Sequence, residues 1–379
     1  LASVILLLQA IVIFPIHKRY RKYYSNSLFN QDKEQNVFAM MMEGLPKIQQ
    51  MNAEKRSFAI WEKSFENYVV NDSSKNKFFH LSDLHIGLKL YNRDLTEDQK
   101  HIFDQIAASA KEHQPDAIVI AGDIYDKAVP SAEATETFDY LMNALYKAVP
   151  NASIMAISGN HDSAPRVNVY RNILAARNIH MIGNPPASPD EFIEKVVLND
   201  EHGTVNFYLL PFIKPSMVRS IVGDDTNGNL LSYDETVRRM IDRENIDTGA
   251  RNVFVSHQLY IPTGSSASEM ERSDAEIVTV GNIDSVGADV LRVFDYAALG
   301  HIHKPMKIDT EVYRYCGTPM ACSVSEAGQD KGIIVVDMGP KGQVSTEVIK
   351  LVPLRAVRII SDLYENVANM KSNDYVTVE

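Results

Sequence analysis

The feature that most constrains this chain is a short apolar strand that ends in two side chains of the metal-binding kind. Residues 77–81 predict the strand, and Asp83 and His85 follow it, two positions apart. Alternate residues of an extended segment point to the same side, so both side chains can turn toward one point beyond the strand end. The segment therefore predicts part of a site at the carboxyl end of a strand.

Four later segments repeat this design, an apolar run followed at once by aspartate, asparagine or histidine. They are residues 117–123, 154–162, 253–257 and 296–303. In open α/β sheets ligands bind beyond the carboxyl ends of the strands, so the five segments together predict one site. The candidate metal ligands are Asp83, His85, Asp123, Asn160, His257, His301 and His303.

Seven candidate ligands are too many for one ion and suit two. Mixed oxygen and imidazole donors favour Mn²⁺, Fe or Zn²⁺ over Ca²⁺. Two ions about 3.5–4 Å apart need a bridging ligand, and Asp123 is the natural bridging carboxylate. Such a pair holds a phosphate, activates water at neutral pH and stabilises the leaving oxygen.

His161 follows the candidate ligand Asn160 but is surplus to two filled metal shells. It is a candidate catalytic residue, which would protonate the leaving oxygen or stabilise charge on the phosphate. Asp126 and Asp162 are the carboxylates that could hold its ring in orientation. Three histidines outside the five segments are interpreted as structural: His80, His101 and His180.

The order of the predicted elements indicates an α/β fold with a largely parallel first sheet. Strands at 77–81, 117–121 and 153–158 alternate with helices at about 95–113, 131–148 and 166–177. Ser131 is the predicted N-cap of the second helix. The second half predicts more strand than helix, with strands at 205–211, 252–256, 293–298, 311–315, 332–337 and 344–350 and a helix at about 233–244. Residues 258–276 predict a long polar loop.

Both ends of the chain predict segments outside this fold. Residues 1–16 are almost wholly apolar and basic residues follow them, which leaves two interpretations open, a cut membrane helix or an artefactual extension. By the positive-inside rule the rest of the chain would lie in the cytoplasm. The predicted domains are an N-terminal extension with a linker (1–76), a main domain (77–351) and a small C-terminal unit that ends in mid-strand (352–379).

Composition limits the partners and the compartment. A formal net charge of −11 over 379 residues argues against a generally basic nucleic-acid binder but allows a local basic groove. Only two cysteines are present, Cys316 and Cys322, which indicates a reducing compartment. Residues near the predicted site that could contact phosphate, sugar or base are Lys89, Arg93, Arg166, Arg171, Arg177, Tyr91 and Tyr125, although solvated surface or local packing also accounts for them.

In this order the motifs Asp-x-His, Gly-Asp, Gly-Asn-His-Asp, His and Gly-His-x-His resemble the calcineurin-like metallophosphoesterase superfamily. Further residues narrow the resemblance to the SbcD family, the nuclease subunits of bacterial SbcC–SbcD exonucleases. They lie at 80–87, 121–126, 159–163, 298–303 and 315–319. The resemblance runs from about residue 77 to the end of the chain.

The resemblance implies two mixed β-sheets packed face to face and flanked by helices. It assigns one metal to Asp83, His85, Asp123 and His303, and the other to Asp123, Asn160, His257 and His301. It makes His161 the catalytic histidine. The implied activity is a hydrolase that cuts DNA with two divalent ions, Mn²⁺ or else Mg²⁺, as a double-strand exonuclease and a single-strand and hairpin endonuclease.

The resemblance also implies partners and processes. A homodimer would work with the SbcC ATPase in DNA repair, recombination and replication. Residues 352–379 would begin a DNA-capping domain. The chain departs from the family pattern in the 76 residues before its first strand and in the short C-terminal unit.

Two other functions compete with a DNA nuclease. One is a metallophosphoesterase that acts on a small phosphodiester or a phosphoprotein. The other is a metal-free scaffold that binds partners, against which the intact ligand set argues.

Overall fold

The structure is a computed structural model that describes residues 76–266, 273, 274, 276, 284–362 and 364–379. The predicted extension, except for Asn76, and part of the predicted loop at 258–276 lie outside the described residues. The described residues apart from 199–203 belong to one compact unit. Within the described part of the chain, no helix is both long and apolar enough to cross a membrane. The predicted domain boundaries after residues 76 and 351 stay predictions.

The first half of the described chain alternates strands and helices, as predicted. Its elements are β1 (Asn76–Leu81), β2 (Lys89–Leu90), β3 (Arg93–Asp94), α1 (Thr96–His113), β4 (Ala117–Ala121), α2 (Ala132–Ala148), β5 (Ser153–Ile157), α3 (Ala164–Val167), α4 (Arg171–Ala175) and β6 (Ile179–Ile182). The Ser131 hydroxyl accepts a hydrogen bond from the Ala134 amide at 3.2 Å, which confirms the predicted N-cap of α2.

The prediction of a single helix at 166–177 is wrong. Two short helices, α3 and α4, occupy this stretch, and Tyr170 between them has a φ of 61°, which interrupts the helical path. The Asn168 side chain accepts a hydrogen bond from the Gly183 amide at 3.3 Å. This contact ties the segment to the chain just after β6, a long-range restraint that helical periodicity does not reveal.

The second half of the described chain is rich in strands. They are β7 (Glu194–Asp200), β8 (Gly203–Leu210), β9 (Arg251–Ser256), β10 (Leu259–Ile261), β11 (Ser285–Gly287), β12 (Tyr296–Leu299), β13 (Met306–Lys307), β14 (Tyr313–Tyr315), β15 (Gly332–Met338), β16 (Val344–Lys350), β17 (Val357–Ile360) and β18 (Tyr375–Val378). Its helices are α5 (Arg219–Val222), α6 (Tyr233–Asp242) and α7 (Tyr364–Asn369), with 3₁₀ helices at Pro215–Met217, Ala288–Val293 and Val324–Glu326. The strand predicted from residue 293 therefore starts later, at Tyr296.

Two six-stranded sheets form the frame. The first has the order β16-β15-β1-β4-β5-β6. Its strands β1, β4, β5 and β6 are parallel to one another, and β15 pairs antiparallel with both β1 and β16. The second has the order β13-β14-β12-β9-β8-β7, in which β14, β12, β9 and β8 are parallel and β13 is antiparallel. The predicted α/β fold with two mixed sheets is confirmed.

Alternate residues of the first sheet pack into two different cores. Phe79 and Ile118 pack with the helices α1 and α2. Phe78 and Val119 point the other way, toward the second sheet, where the ring centroids of Phe78 and Phe207 are 5.2 Å apart. A sheet that is buried on both faces needs apolar residues on both, which explains the continuous apolar runs of the sequence. The outer face of the second sheet is covered by α6.

The C-terminal strands β17 and β18 pair in parallel and lie next to the start of α1. Arg355 forms ion pairs with Glu97 and Asp98, and the Tyr375 hydroxyl donates to the Asp98 carboxylate at 2.9 Å. Because α1 follows the loop that carries Asp83 and His85, these contacts hold the C-terminal segment near that edge of the sheet.

Candidate metal centre

The loops that follow β1 and β4 run side by side and carry the first three candidate ligands. The Asp83 amide donates to the Gly122 carbonyl and the His85 amide to the Asp123 carbonyl, each at 3.0 Å. Asp83, His85 and Asp123 have φ values of 52°, 41° and 49°, a left-handed conformation that is costly for residues other than glycine. The strained turns direct all three side chains beyond the strand ends, as the sequence predicts.

Two glycines allow the chain segments of the site to approach each other. A Cβ on Gly159 would lie 2.1 Å from Asp123 Oδ1, and one on Gly122 would lie 2.3 Å from His257 Nδ1. Gly122 also has a φ of 90°, which side chains rarely tolerate. The Gly-Asn-His-Asp and Gly-Asp motifs therefore need their glycines to bring β4, β5 and β9 together.

Asp83, His85 and His303 form what we call the first half-site. Their ligand atoms lie within 4.8 Å of one another, and all three residues are buried. The Nε2 atoms of His85 and His303 are 3.0 Å apart. The Asp83 carboxylate also accepts the amide of His301, at 3.0 Å to Oδ1, which links this half-site to the loop after β12.

Asn160, His257 and His301 form the second half-site. The Asn160 side-chain oxygen is 3.1 Å from His257 Nε2 and 2.9 Å from His301 Nδ1. His257 is fully buried, whereas Asn160 is partly exposed. The three side chains come from the ends of β5, β9 and β12, so strands of both sheets contribute.

Asp123 lies between the two half-sites. Its Oδ2 atom is 3.3 Å from His257 Nε2 and 3.7 Å from His85 Nε2. Its Oδ1 atom accepts the His161 amide at 2.8 Å, which fixes the carboxylate plane. This is the position that a bridging carboxylate requires. The structure thus brings all seven predicted side chains into one place, while their role as ligands stays a prediction.

The hydrogen bonds of the histidines leave lone pairs that face one another. His257 Nδ1 donates to the Ala121 carbonyl at 2.7 Å, so in the neutral ring Nε2 carries a lone pair. That Nε2 faces the oxygens of Asn160 and Asp123, which are acceptors. His303 Nδ1 likewise donates to Glu326 at 3.0 Å, so its Nε2 lone pair faces His85. Nitrogen and oxygen lone pairs arranged in this way fit divalent cations, which accept an electron pair from each of these atoms.

The charges of the metal-free site suit a cation beside Asp123 and His85 but oppose one beside His257. Burial opposes a charge on His257, but the carboxylates of Asp123 and Asp83 outweigh it and raise the pKa of His257 to about 9. Burial lowers the pKa of His85 to about 3, against the pull of Asp123. Burial would raise the pKa of Asp123, yet the facing imidazoles of His257 and His85 outweigh it and lower the pKa. The ionised Asp123 and the neutral His85 are ready to bind a cation, whereas a cation that binds His257 must displace its Nε2 proton at neutral pH.

The comparison with protein families agrees with this geometry. The family model described as calcineurin-like phosphoesterase matches residues 76–305, more than half of the chain. The chain belongs to the calcineurin-like phosphoesterase family. The family consists of metal-dependent phosphoester hydrolases, and the candidate metal-binding residues of this chain all lie in the matched segment.

Solved structures of three other proteins are similar to this phosphoesterase at low sequence identity. A dimetal phosphatase from Danio rerio shares 12% identity over 73% of this chain and 96% of its own, with a TM-score of 0.43. GAP50, the anchor in the inner membrane complex of Plasmodium, shares 11% identity over 80% of this chain and 92% of its own, with a TM-score of 0.42. A Thermus thermophilus protein shares 10% identity over 72% of this chain and 99% of its own, with a TM-score of 0.40. These similarities are too distant to transfer a substrate or a residue role.

His161 lies at the rim of the phosphoesterase centre. Its Nδ1 donates to the main-chain carbonyl of Asp126 at 3.0 Å, and its Nε2 lies 4.0 Å from Asp123 Oδ2. The ring is thus oriented by a main-chain oxygen and not by either of the predicted carboxylates. Asp126 instead turns its carboxylate toward His85, 3.9 Å from Nδ1.

Asp162 has a different role from the one predicted. Its carboxylate accepts the amides of Gly159, Ile124 and Tyr125 at 2.9–3.0 Å. It therefore clamps the turn after β5 against the turn after β4, which carries Asp123. Burial and the charge of Asp123 both raise the pKa of Asp162, and the three amides act against them.

Sequence reasoning missed the polar groups around His303. The buried Glu326, Lys331 and Glu276 all contact it, through its ring or its main chain. None of them follows an apolar strand, so the pattern that identifies the ligands does not include them. A signal in the sequence is the pair of polar residues Glu326 and Lys331 just before β15, one of the most apolar strands.

The predicted DNA-contact residues divide into two groups. Lys89, Arg93, Arg166, Arg177 and Tyr91 are exposed. Arg171 is ion-paired with Glu194, and Tyr125 is partly buried against Phe138, with ring centroids 5.6 Å apart. The first group is exposed, although the Tyr91 hydroxyl is hydrogen-bonded to Thr377 Oγ1 at 2.7 Å, whereas the second has a local packing role.

Proposed function

We propose that this phosphoesterase is a Mn²⁺-dependent DNA nuclease. It would hydrolyse phosphodiester bonds with two cations, as an exonuclease on duplex ends and as an endonuclease on single strands and hairpins. The observation that carries the proposal is the position of Asp123, whose carboxylate lies between two sets of nitrogen and oxygen donors. Two cations that share a carboxylate are typical of enzymes that displace an oxygen at phosphorus.

The residues divide between the cations in a simple way. The first cation would be held by Asp83, His85, Asp123 and His303, and the second by Asp123, Asn160, His257 and His301. When bound, the cations supply Lewis-acid stabilisation of the phosphate and an activated water. Mg²⁺ is the other candidate, but four imidazoles favour a softer ion such as Mn²⁺.

His161 would provide the proton-transfer group of the reaction. Its Nδ1–H is used by the Asp126 carbonyl, so Nε2 is the nitrogen that faces the substrate side. In its protonated form the ring offers Nε2–H to the leaving oxygen or to a phosphoryl oxygen. Asp162 keeps the turn that carries His161 in place through its bonds to the amides of Ile124 and Tyr125.

DNA is favoured as substrate by the SbcD-like residues at 80–87, 121–126, 159–163, 298–303 and 315–319. The exposed side chains of Lys89, Arg93 and Arg166 lie on β2, β3 and α3, in the segments that follow the candidate ligands His85 and Asn160, and suit a phosphate backbone. Because the net charge of the chain is −11, binding depends on such local basic groups.

The same resemblance supports partners for the nuclease. We propose that it acts as a homodimer with an SbcC-type ATPase in DNA repair and recombination, in the cytoplasm. The exposed apolar side chains of Val169, Tyr170 and Ile173, on the α3–α4 segment, support contact with a second copy. The buried free thiols of Cys316 and Cys322 support a reducing compartment.

The test compares DNA and a small diester as substrates, with and without Mn²⁺. End-labelled linear duplex and hairpin DNA are incubated with the protein, alone and with an SbcC-type ATPase, beside bis(p-nitrophenyl) phosphate. We expect Mn²⁺-dependent shortening of DNA that the ATPase stimulates, and none in excess EDTA. Cleavage of the small diester with intact DNA in every condition would favour the small-substrate phosphoesterase. Inactivity on both, with no Mn²⁺ bound, would favour the scaffold.

A further inference from the structure

Glu326 is a buried carboxylate outside the predicted ligand set. It ends the 3₁₀ turn Val324–Glu326 and is 1% exposed. Its Oε1 accepts His303 Nδ1 at 3.0 Å and the Ser273 hydroxyl at 2.8 Å. Its Oε2 accepts the Thr318 hydroxyl at 3.0 Å and is 2.7 Å from Lys331 Nζ. A carboxylate with this many donors is held in one orientation.

His303 is restrained at its ring and at both ends of its main chain. The ring donates to Glu326, the amide donates to Glu276 at 2.9 Å, and the carbonyl accepts from Lys331 at 2.8 Å. Lys331 thus contacts both the carboxylate of Glu326 and the residue that this carboxylate orients. The side chains of Glu326 and Lys331 are 0% and 5% exposed, so water does not replace these bonds.

The hydrogen bond to Glu326 decides which nitrogen of His303 can act as a ligand. A carboxylate only accepts, so in the neutral ring the proton resides on Nδ1 and the lone pair on Nε2. Nε2 points at the first half-site, 3.0 Å from His85 Nε2. The other tautomer would place a proton on Nε2 and remove this nitrogen from the ligand set.

We propose that Glu326 is a positioning residue that fixes the tautomer and the ring orientation of His303, with Lys331 balancing its charge. The inference rests on the metal ligands of the proposed function. Loss of such a partner typically lowers metal affinity by about ten- to a hundredfold.

The effect should be confined to the first half-site. In the second, His257 Nδ1 donates to the main-chain carbonyl of Ala121 at 2.7 Å, which no substitution of a side chain removes. Among the described residues, Glu326 forms no hydrogen bond to an atom of the second half-site. Selective weakening of one Mn²⁺ site is therefore the expected result.

The experiment compares two double variants that differ in one group. Glu326→Met with Lys331→Met removes the acceptor, and Glu326→Gln with Lys331→Met keeps an amide oxygen that can accept from Nδ1. Both remove the buried ion pair, so neither leaves a lone buried charge. Lys350→Met with Asp330→Asn, which removes an exposed ion pair nearby, is the matched control. Mn²⁺ binding is titrated by electron paramagnetic resonance, and urea unfolding of each metal-free variant is measured alongside.

We expect the methionine variant to lose about ten- to a hundredfold in affinity for one Mn²⁺ and to retain the other. The glutamine variant should recover most of this loss, and the control should bind as the unsubstituted protein does. Equal affinities in the two double variants would overturn the inference, because the acceptor would then be irrelevant. The inference would also be overturned if Mn²⁺ affinity fell equally at both sites, in proportion to the fall in the urea unfolding midpoint of each variant. Failure of the unsubstituted protein to bind Mn²⁺ would instead overturn the proposed function and the inference with it.

Discussion

The two half-sites hold their histidines in different ways. In the first, the ring of His303 is oriented by the ionisable side chain of Glu326. In the second, the ring of His257 is oriented by the main-chain carbonyl of Ala121, at the end of β4. One half-site therefore depends on a charged group from a distant turn, and the other on the frame of the sheet itself.

The difference indicates where substitutions act. A main-chain acceptor moves only if the strand moves, so the second half-site is sensitive to changes in backbone packing. The close contact of Gly122 is with His257 of that half-site, and the close contact of Gly159 is with Asp123, which lies between the two. The first half-site is sensitive to the removal of single side chains. Asp123 touches both and should show the largest effect of all.

Asp123→Asn should remove the link between the half-sites. The amide loses the negative charge that faces His257 and His85, so we expect at most one Mn²⁺ to bind. Phosphodiesterase activity should fall roughly ten-thousandfold or more, since a bound cation contributes several kcal/mol and 1.4 kcal/mol is tenfold. Mn²⁺ stoichiometry and the hydrolysis rate of bis(p-nitrophenyl) phosphate check this. Two tightly bound Mn²⁺ ions in the variant would contradict the bridging role.

His161→Ala should separate chemistry from metal binding. The ring contributes to neither half-site, so both Mn²⁺ ions should remain, whereas cleavage should fall about a hundred- to ten-thousandfold. The same titration and rate measurement apply, with His101→Ala on α1, outside the candidate centre, as the control. Full Mn²⁺-dependent activity without the imidazole would rule out a catalytic role for His161.

The convergence of the seven candidate ligands was predictable because its signal is local. Each candidate ligand follows an apolar strand directly, and the parallel strands place their carboxyl ends at one edge. The N-cap at Ser131 was predictable for the same reason, since its partner lies three residues ahead. The N-terminal extension lies outside the described residues, so its membrane and artefact interpretations stay open.

What the sequence could not reveal depends on distant or main-chain atoms. Glu326 lies 23 residues after His303, on a turn without periodicity, and only the tertiary fold buries the two together. The oxygen that orients His161 belongs to the main chain of Asp126, which no side-chain pattern encodes. The break at Tyr170 likewise reflects the attachment of Asn168 to Gly183.

Gly159→Ala tests the sensitivity of the bridging carboxylate of Asp123 to backbone packing. The new methyl would lie 2.1 Å from Asp123 Oδ1, so the carboxylate or the turn must shift. We expect a loss of stability of about 1–3 kcal/mol and weaker binding of both Mn²⁺ ions. Urea unfolding and Mn²⁺ titration provide the measurements. Gly249→Ala, at an exposed turn, should stay within about 0.5 kcal/mol, and a Gly159→Ala variant equally unaffected would show that the centre tolerates the contact.

The smallest expected effect is on the pH dependence of stability, through His80. This residue supports the segment that leads to the second half-site. Its Nε2 donates to the Leu299 carbonyl at 3.2 Å, two residues before His301, and its Nδ1 accepts from the Tyr296 hydroxyl at 3.0 Å. Burial lowers the pKa of His80 from 6.5 to about 3. The unfolded chain therefore binds a proton that the folded protein excludes, and stability present above pH 6.5 is lost as the pH falls toward 3.

At pH 5 this loss should reach about 2 kcal/mol, since the pH lies 1.5 below the unfolded value and each unit is worth 1.36 kcal/mol. His80→Gln should be less stable than the unsubstituted protein at pH 7 but should lose less between pH 7 and pH 5. Urea unfolding in EDTA measures both free energies. Between pH 7 and pH 8 His80 is neutral in both states, so there the two proteins should change in parallel. Parallel change down to pH 5 as well would mean that the folded protein admits the proton, and that burial does not keep His80 neutral.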